Sequence, residues 1–283
     1  MQQVLANVES LNLNNKDFGM ILQSQYSGIQ FNNVKHITVC EFYNEKATFP
    51  YWFLKNVPNF ESLSVEWCFF TEVFHGEQTL RTEKETQISP RLRELRLWNL
   101  AKLQYVCKVG FQMDPVLEFL ERIIVYQCSN LIKLVPSSVT FSYMTYLEVS
   151  NCNGLINLIT HSTAKSHVKL KTMKIQMCNV LEDIVIGKED ETNEIAFCSL
   201  QYLELISLQK LCRFCSCPCP IRFPLLEVVV VKECPRMELF SFGVTNTPNL
   251  QNVQTEEDNY WQGDLNLTVK KLFIDKVCST FIH

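Results

Sequence analysis

No stretch of this sequence approaches the ~20 consecutive apolar residues that a helical bilayer crossing needs. The opening segment, Met1 to Ser10, is polar rather than a basic head followed by an apolar run. Neither a membrane span nor a secretion leader is expected. Glycine and proline are scarce, 8 and 10 of 283 residues, and 47% of the chain is hydrophobic, which excludes collagen-like and disordered classes. Charge of one sign is also missing: 26 Lys and Arg stand against 30 Asp and Glu, for a net −4. Such a chain has no field to condense onto phosphate backbones, so no nucleic-acid partner is expected. The sequence has no G-x-x-x-x-G-K-[ST], G-x-G-x-x-G, G-x-S-x-G or H-E-x-x-H. Nucleotide binding, hydride transfer, serine hydrolysis and zinc proteolysis thereby lose their usual signatures. The reading is a protein that is not an enzyme, with no catalytic residue, cofactor or metal expected.

Cysteine, by contrast, is abundant. Thirteen would suggest a disulfide framework in a short secreted chain, but this chain is long enough to build a core and the count is odd. The only N-glycosylation acceptor is Asn266-Leu267-Thr268. Both observations fit a reducing, cytoplasmic location.

The dominant signal is an internal repeat. From an apolar residue at position x, apolar residues follow at x+3, x+5, x+8 and x+11, as in Leu92, Leu95, Leu97, Leu100, Leu103 and again in Leu170, Met173, Ile175, Cys178, Leu181. Starts fall at residues 8, 34, 60, 92, 120, 144, 170, 200 and 226, and all eighteen residues at x+3 and x+5 are Leu, Ile, Val or Met. This is the leucine-rich-repeat frame L-x-x-L-x-L-x-x-[C/L]-x-x-L. Residues two apart share one face of a strand, so each repeat should add one rung to a parallel sheet. The expected fold is an α/β leucine-rich-repeat solenoid, a right-handed superhelix with the parallel sheet on its concave face and an irregular or short-helical convex side.

Cysteine occupies x+8 in five repeats: Cys68, Cys128, Cys152, Cys178 and Cys234. A small, apolar, weakly donating side chain suits a chain that turns into the core, so these are read as packing residues. Short convex helices are expected within Thr48 to Asn56 and Met113 to Phe119. About nine repeats should fill residues 1–250. A degenerate last repeat and a capping helix, with Asp264 as N-cap and Leu265, Val269, Leu272 and Phe273 on one face, should fill residues 251–283. Residues Met1 to Val8 are too few to cover the first repeat, so a preceding domain is expected.

Three further groups invite chemical readings. His161 and His167, six apart, share no face of a helix or strand, and a solvated loop is the preferred reading over metal ligation. Cys212, Cys215, Cys217 and Cys219 could wrap a zinc ion through thiolates at about 2.3 Å, but structural zinc sites normally join two separated pairs. A cysteine-rich convex loop is preferred there, with metal binding and redox sensitivity left open. The run Lys188 to Glu194 reads as a solvated acidic loop.

With no chemistry to assign, the surface carries the functional reading. Positions x+2, x+4, x+6 and x+7 should face the concave side, and they hold Trp67, Arg96, Trp98, Arg122, Tyr126, Tyr146, Glu148, Lys174, Tyr202 and Glu204. Aromatics and arginine dominate interface energetics, so this stripe is the expected partner-binding surface.

The segments Phe223-Pro224-Leu225-Leu226-Glu227 and Lys232-Glu233-Cys234-Pro235-Arg236-Met237 resemble the late repeats of plant intracellular immune receptors of the nucleotide-binding, leucine-rich-repeat (NB-LRR) type, coiled-coil class. The ending, with Trp261, Gly263-Asp264-Leu265-Asn266 and Leu272-Phe273, and the Cys128-Ser129-Asn130-Leu131 pattern are similar too. The resemblance implies a module for disease resistance, defence and innate immunity. Its expected protein partner is a pathogen effector, a modified or guarded host protein, or the receptor's own nucleotide-binding domain. No residue here corresponds to a nucleotide-binding motif. The alternative is the substrate-receptor subunit of an F-box-type ubiquitin ligase.

Overall fold

The computed structural model describes residues 8–17, 31–44, 49, 51–74, 91–107, 117, 119–135, 140–188, 190–256 and 258–280. Its spine is one sheet built from the five-residue strands Ser10–Asn14, His36–Cys40, Ser62–Glu66, Glu94–Trp98, Arg122–Tyr126, Tyr146–Ser150, Thr172–Gln176, Tyr202–Ile206 and Val228–Lys232. The short strand Val253–Gln254 continues it in parallel, and Asn259–Tyr260 turns back antiparallel. Each strand begins at x+2 of its repeat. Register keeps equivalent positions abreast: Leu63 pairs with Leu95, Leu95 with Ile123, Ile123 with Leu147 and Leu147 with Met173. This is the leucine-rich-repeat solenoid expected from the frame.

The period of two explains which side is buried. In Glu94–Trp98, Leu95 and Leu97 are fully buried while Arg96 and Trp98 face water. Each buried aliphatic side chain removed from water contributes roughly 1.5–3 kcal/mol, and the x+3 and x+5 rows supply two in every repeat after the first, where Leu11 is half-buried.

Where each strand ends, the backbone makes the same unusual move. Residue x+7 has positive φ in eight consecutive repeats: Glu41, Trp67, Asn99, Gln127, Asn151, Met177, Ser207 and Glu233, between 50° and 61°. This left-handed residue tips its N–H toward the following rung, as Asn99 N donates to Tyr126 O at 2.9 Å and Met177 N to Ile206 O at 2.9 Å. The next residue then enters the core. There four of the five x+8 thiols donate weakly to two carbonyls, and Cys152 to one. Cys68 Sγ reaches Glu66 O at 3.1 Å and Val39 O of the preceding repeat at 3.7 Å, and Cys234 Sγ reaches Lys232 O at 3.3 Å and Leu205 O at 3.6 Å. Burial pushes the Cys68 and Cys234 thiols up to about 12, so they remain protonated donors and unreactive.

The return segments form the convex wall. Asn157–Thr160, Asp183–Ile186 and Arg213–Cys215 make a second parallel sheet, and Ile195–Ala196, Ile221–Arg222 and Thr245–Asn246 a third. Between them runs a phenylalanine ladder. Phe197 stacks on Phe223 at 5.2 Å and Phe214 on Phe240 at 4.8 Å, nearly parallel in both cases, with edge contacts across the two stacks. Helix is sparse. A 3-10 turn, Tyr51–Asn56, lies inside the first convex segment expected to hold one; most of Met113 to Phe119 falls outside the described residues.

The helix Leu265–Thr280 follows Asp264, whose Oδ1 accepts from Leu267 N at 3.0 Å. It buries Leu265 and Val269, and it faces Val231, Cys234 and Met237 of the preceding repeat. The acceptor asparagine, Asn266, is consumed structurally: its Oδ1 accepts from Ser241 N at 2.8 Å and its Nδ2 donates to Gly243 O at 3.0 Å.

One expectation needs correction, and another holds with one exception. His161 and His167 are not solvated; both are buried, at either end of a short helix, His161–Ser166, capped by Thr160 Oγ1. His167 Nδ1 contacts Thr163 O at 2.7 Å and His161 Nε2 contacts Asn193 O at 2.9 Å. The following return segment meets His161 and the Phe141 ring of the preceding one meets His167 at 5.4 Å, which residue spacing within one loop cannot reveal. The acidic run is largely exposed, but Glu191 turns inward to lie 3.8 Å from His161 Nδ1.

Candidate functional site

The x+2, x+4 and x+6 side chains of consecutive rungs stand side by side on the concave face, and they sort into two halves. The first is aromatic and cationic. Trp98 and Tyr126, paired in register, stack at 4.3 Å between ring centroids with 28° between planes. Trp98 remains 42% exposed, and Trp67, one rung earlier on the left-handed x+7 position, 50%. The Arg122 guanidinium lies over the Tyr146 ring at 4.1 Å. Arg96 Nη2 and Arg122 Nε both reach Glu94 Oε1, at 3.0 and 3.2 Å. Glu94 therefore holds two cations upright beside the aromatic stack. The sequence reading places Glu94 on this face without singling it out, and its hub role follows only from the lateral register of Glu94 with Arg122.

The second half is a set of tyrosine–carboxylate pairs. A Tyr at x+2 and a Glu at x+4 share one face of a strand, and Tyr146 donates to Glu148 as Tyr202 donates to Glu204. Partial burial, then the adjoining carboxylate, pushes both phenols up to about 12, so they remain donors. Lys174 sits in register between Glu148 and Glu204 with its ammonium 5.4 Å from the Tyr202 ring centre. Glu204 differs from the others: it is buried, receiving bonds from Tyr202 and from Gln176 Nε2, so it orients neighbours rather than meeting water. The structure thus brings Arg96, Trp98, Arg122, Tyr126, Tyr146, Glu148, Lys174 and Tyr202 onto contiguous rungs, with Trp67 at the border.

Of the cysteine run on the convex side, Cys212 stands apart, bonding Lys210 O, while Cys215, Cys217 and Cys219 are buried with their sulfurs within 4.8 Å of one another. None of the thirteen cysteines forms a disulfide. Among the described residues, no helix is long and apolar enough to cross a membrane.

Comparison with known proteins bears on this arrangement. The family model described as plant disease resistance protein RPS2-like, leucine-rich repeats, matches residues 7–145 and again 139–259. No curated protein and no solved structure matches the chain. The two matched segments together span nearly the whole ladder of rungs, including every residue of the concave patch, and the chain belongs to the RPS2-like leucine-rich-repeat family of plant disease resistance proteins.

Proposed function

We propose that this domain is the recognition module of a plant immune receptor. Its concave face binds a protein partner, either a pathogen effector or a host protein that an effector has modified, and that binding regulates a nucleotide-binding switch whose motifs are not found in this chain. The receptor's own nucleotide-binding domain is a further partner for the same face. The role is recognition rather than catalysis, in a reducing cytoplasm, which the unpaired cysteines support.

The observation carrying this reading is the exposed Trp98–Tyr126 stack flanked by Arg96 and Arg122. Partly exposed aromatics rigidified by stacking, beside cations already held in place, lose little freedom when a partner arrives. A differential affinity for two receptor arrangements would then turn binding into a signal. Pull-down of purified effectors and their host targets by the wild-type domain and by Trp98→Ala, Tyr126→Ala and Phe242→Ala tests the proposal. Phe242 is an exposed convex residue under Arg213 and serves as the control. Binding should fall about tenfold or more for the first two and persist for the third. A partner that ignores Trp98 and Tyr126 but is lost with Phe242 would place recognition on the other wall.

A further inference from the structure

The run Cys212 to Cys219 is unlike the other return segments. An extended chain carries residues four apart roughly 13 Å from one another, yet the sulfurs of Cys215, Cys217 and Cys219 all lie within 4.8 Å. The chain bends at 217–219, with the exposed Pro218 and Pro220 on the outside of the bend. All three cysteine side chains turn inward and are fully buried.

The neighbouring repeats make room for this bend. Position x+17 is Gly187 in the repeat starting at 170, Cys217 in the repeat starting at 200 and Gly243 in the repeat starting at 226. The bend is therefore sandwiched between two glycines. A Cβ on Gly187 would lie 2.4 Å from Cys217 Sγ, and a Cβ on Gly243 only 1.8 Å from Cys219 O. A side chain at Gly187 would displace the Cys217 sulfur, and one at Gly243 would displace the backbone of the bend at Cys219.

We propose that Cys215, Cys217 and Cys219 form a binding site for one soft divalent cation, zinc, held by three thiolates. Three sulfurs around a tetrahedral ion at about 2.3 Å stand about 3.8 Å apart, so the cluster needs to contract by about 1 Å or less to close on it. Glu191 lies beside Cys217 on the Gly187 side of the cluster. Its Oε2 lies at the same 2.4 Å as Cys217 Sγ from the point that a Gly187 Cβ would occupy, and it is held there by Lys188 N at 2.8 Å. Glu191 is half-buried. Cys212 and the x+8 cysteines take no part: each is separately bonded to carbonyls.

An ordinary free thiol, with a pKa of about 8.5, is protonated at neutral pH, whereas the zinc ligand is the thiolate. Binding then replaces three S–H protons, which leave to solvent, with three zinc–sulfur bonds, and nothing is oxidised or reduced. The site uses three closely spaced cysteines of one segment where zinc frameworks usually join two pairs, and the flanking glycines are what allow it.

The test uses the whole chain, purified metal-free and kept reduced. Zinc titration by calorimetry in buffers of different ionisation enthalpy should give one ion per chain with release of close to three protons. Cobalt in its place should give a thiolate charge-transfer band and tetrahedral visible absorption. Cys217→Ser and Cys219→Ser should weaken zinc by about 100-fold or more, whereas Cys212→Ser and Cys178→Ser should leave it unchanged. Far-ultraviolet circular dichroism of each metal-free variant establishes that it is folded before titration. As a second readout, zinc should raise the melting temperature of the wild type and not of a folded Cys217→Ser variant. Retention of zinc by the triple serine variant, a stoichiometry far below one for the reduced wild type, or proton release near zero would overturn the assignment.

Discussion

Met177 isolates the contribution of the backbone at the strand exit. It has φ of 50°, donates its N–H to Ile206 O at 2.9 Å, and leaves its side chain 39% exposed. A side chain so placed contributes little core burial, and Asn and Val variants share what burial is lost. Their difference therefore reports the left-handed conformation. Asparagine tolerates that region, whereas a β-branched residue is an outlier there, at a cost of roughly 1–2 kcal/mol. Glycine relieves about 1 kcal/mol of backbone cost but loses about 0.5–1 kcal/mol to unfolded-chain entropy, so Met177→Gly should be nearly neutral. The expected order is Asn and Gly close to wild type, with Val lower by about 1–2 kcal/mol, close to a tenfold change in the local opening equilibrium. Because each repeat touches only its neighbours, native-state hydrogen exchange of the Met177 amide is the direct assay, supported by urea denaturation of the whole chain. Coincident protection in Met177→Val and Met177→Asn would refute the reasoning.

Other expectations follow from burial and close approach. Leu147 is almost fully buried in the middle of the x+3 row, so Leu147→Ala should cost about 2–5 kcal/mol in chemical denaturation, with protection lost first in the strands pairing with it. Gly154 has no space for a side chain, since a Cβ would lie 2.7 Å from Leu131 O and 2.9 Å from Ser129 O; Gly154→Ala should lower the thermal midpoint clearly, while Ala at the open Gly263 site is opposed only by its φ of 81°. Burial holds the His167 imidazole down at about 4, against about 6.5 in an unfolded chain. Between those values the unfolded state binds more protons, so stability is retained above about pH 6.5 and declines as pH falls toward 4. A His167→Gln variant should flatten that decline in urea midpoints measured across the range.

The rungs were legible because their cause is local. Two aliphatic residues spaced by two mark a strand face, and the x+8 cysteines mark the turn inward; Leu95, Ile123, Leu147 and Met173 stand abreast as the frame requires. The left-handed residues were illegible because they carry no common side chain: Glu, Trp, Asn, Gln, Met and Ser all serve, and the conformation is imposed by the carbonyl waiting on the next rung. The burial of His161 depends on a return segment some thirty residues further along, that of His167 on Phe141 in the preceding repeat, and that of Glu204 on a glutamine one rung away. The concave patch was legible as a list of residues, but the convergence of Arg96 and Arg122 on Glu94 belongs to the lateral register. The three gathered thiols depend on glycines in both adjacent repeats, a coincidence visible only when equivalent positions are aligned.

The parallel sheets on the convex wall bear on the overall shape of the domain. A stack of rungs bends only as far as its outer spacing exceeds its inner one. Hydrogen-bonded strands stand about 4.8 Å apart on either side, and the phenylalanine ladder repeats at 4.8 and 5.2 Å. From Asn157 to Asn246 both walls are thus tied at nearly the same pitch, which leaves this stretch shallow and stiff. Such a stretch presents a broad plank and not a tight arch.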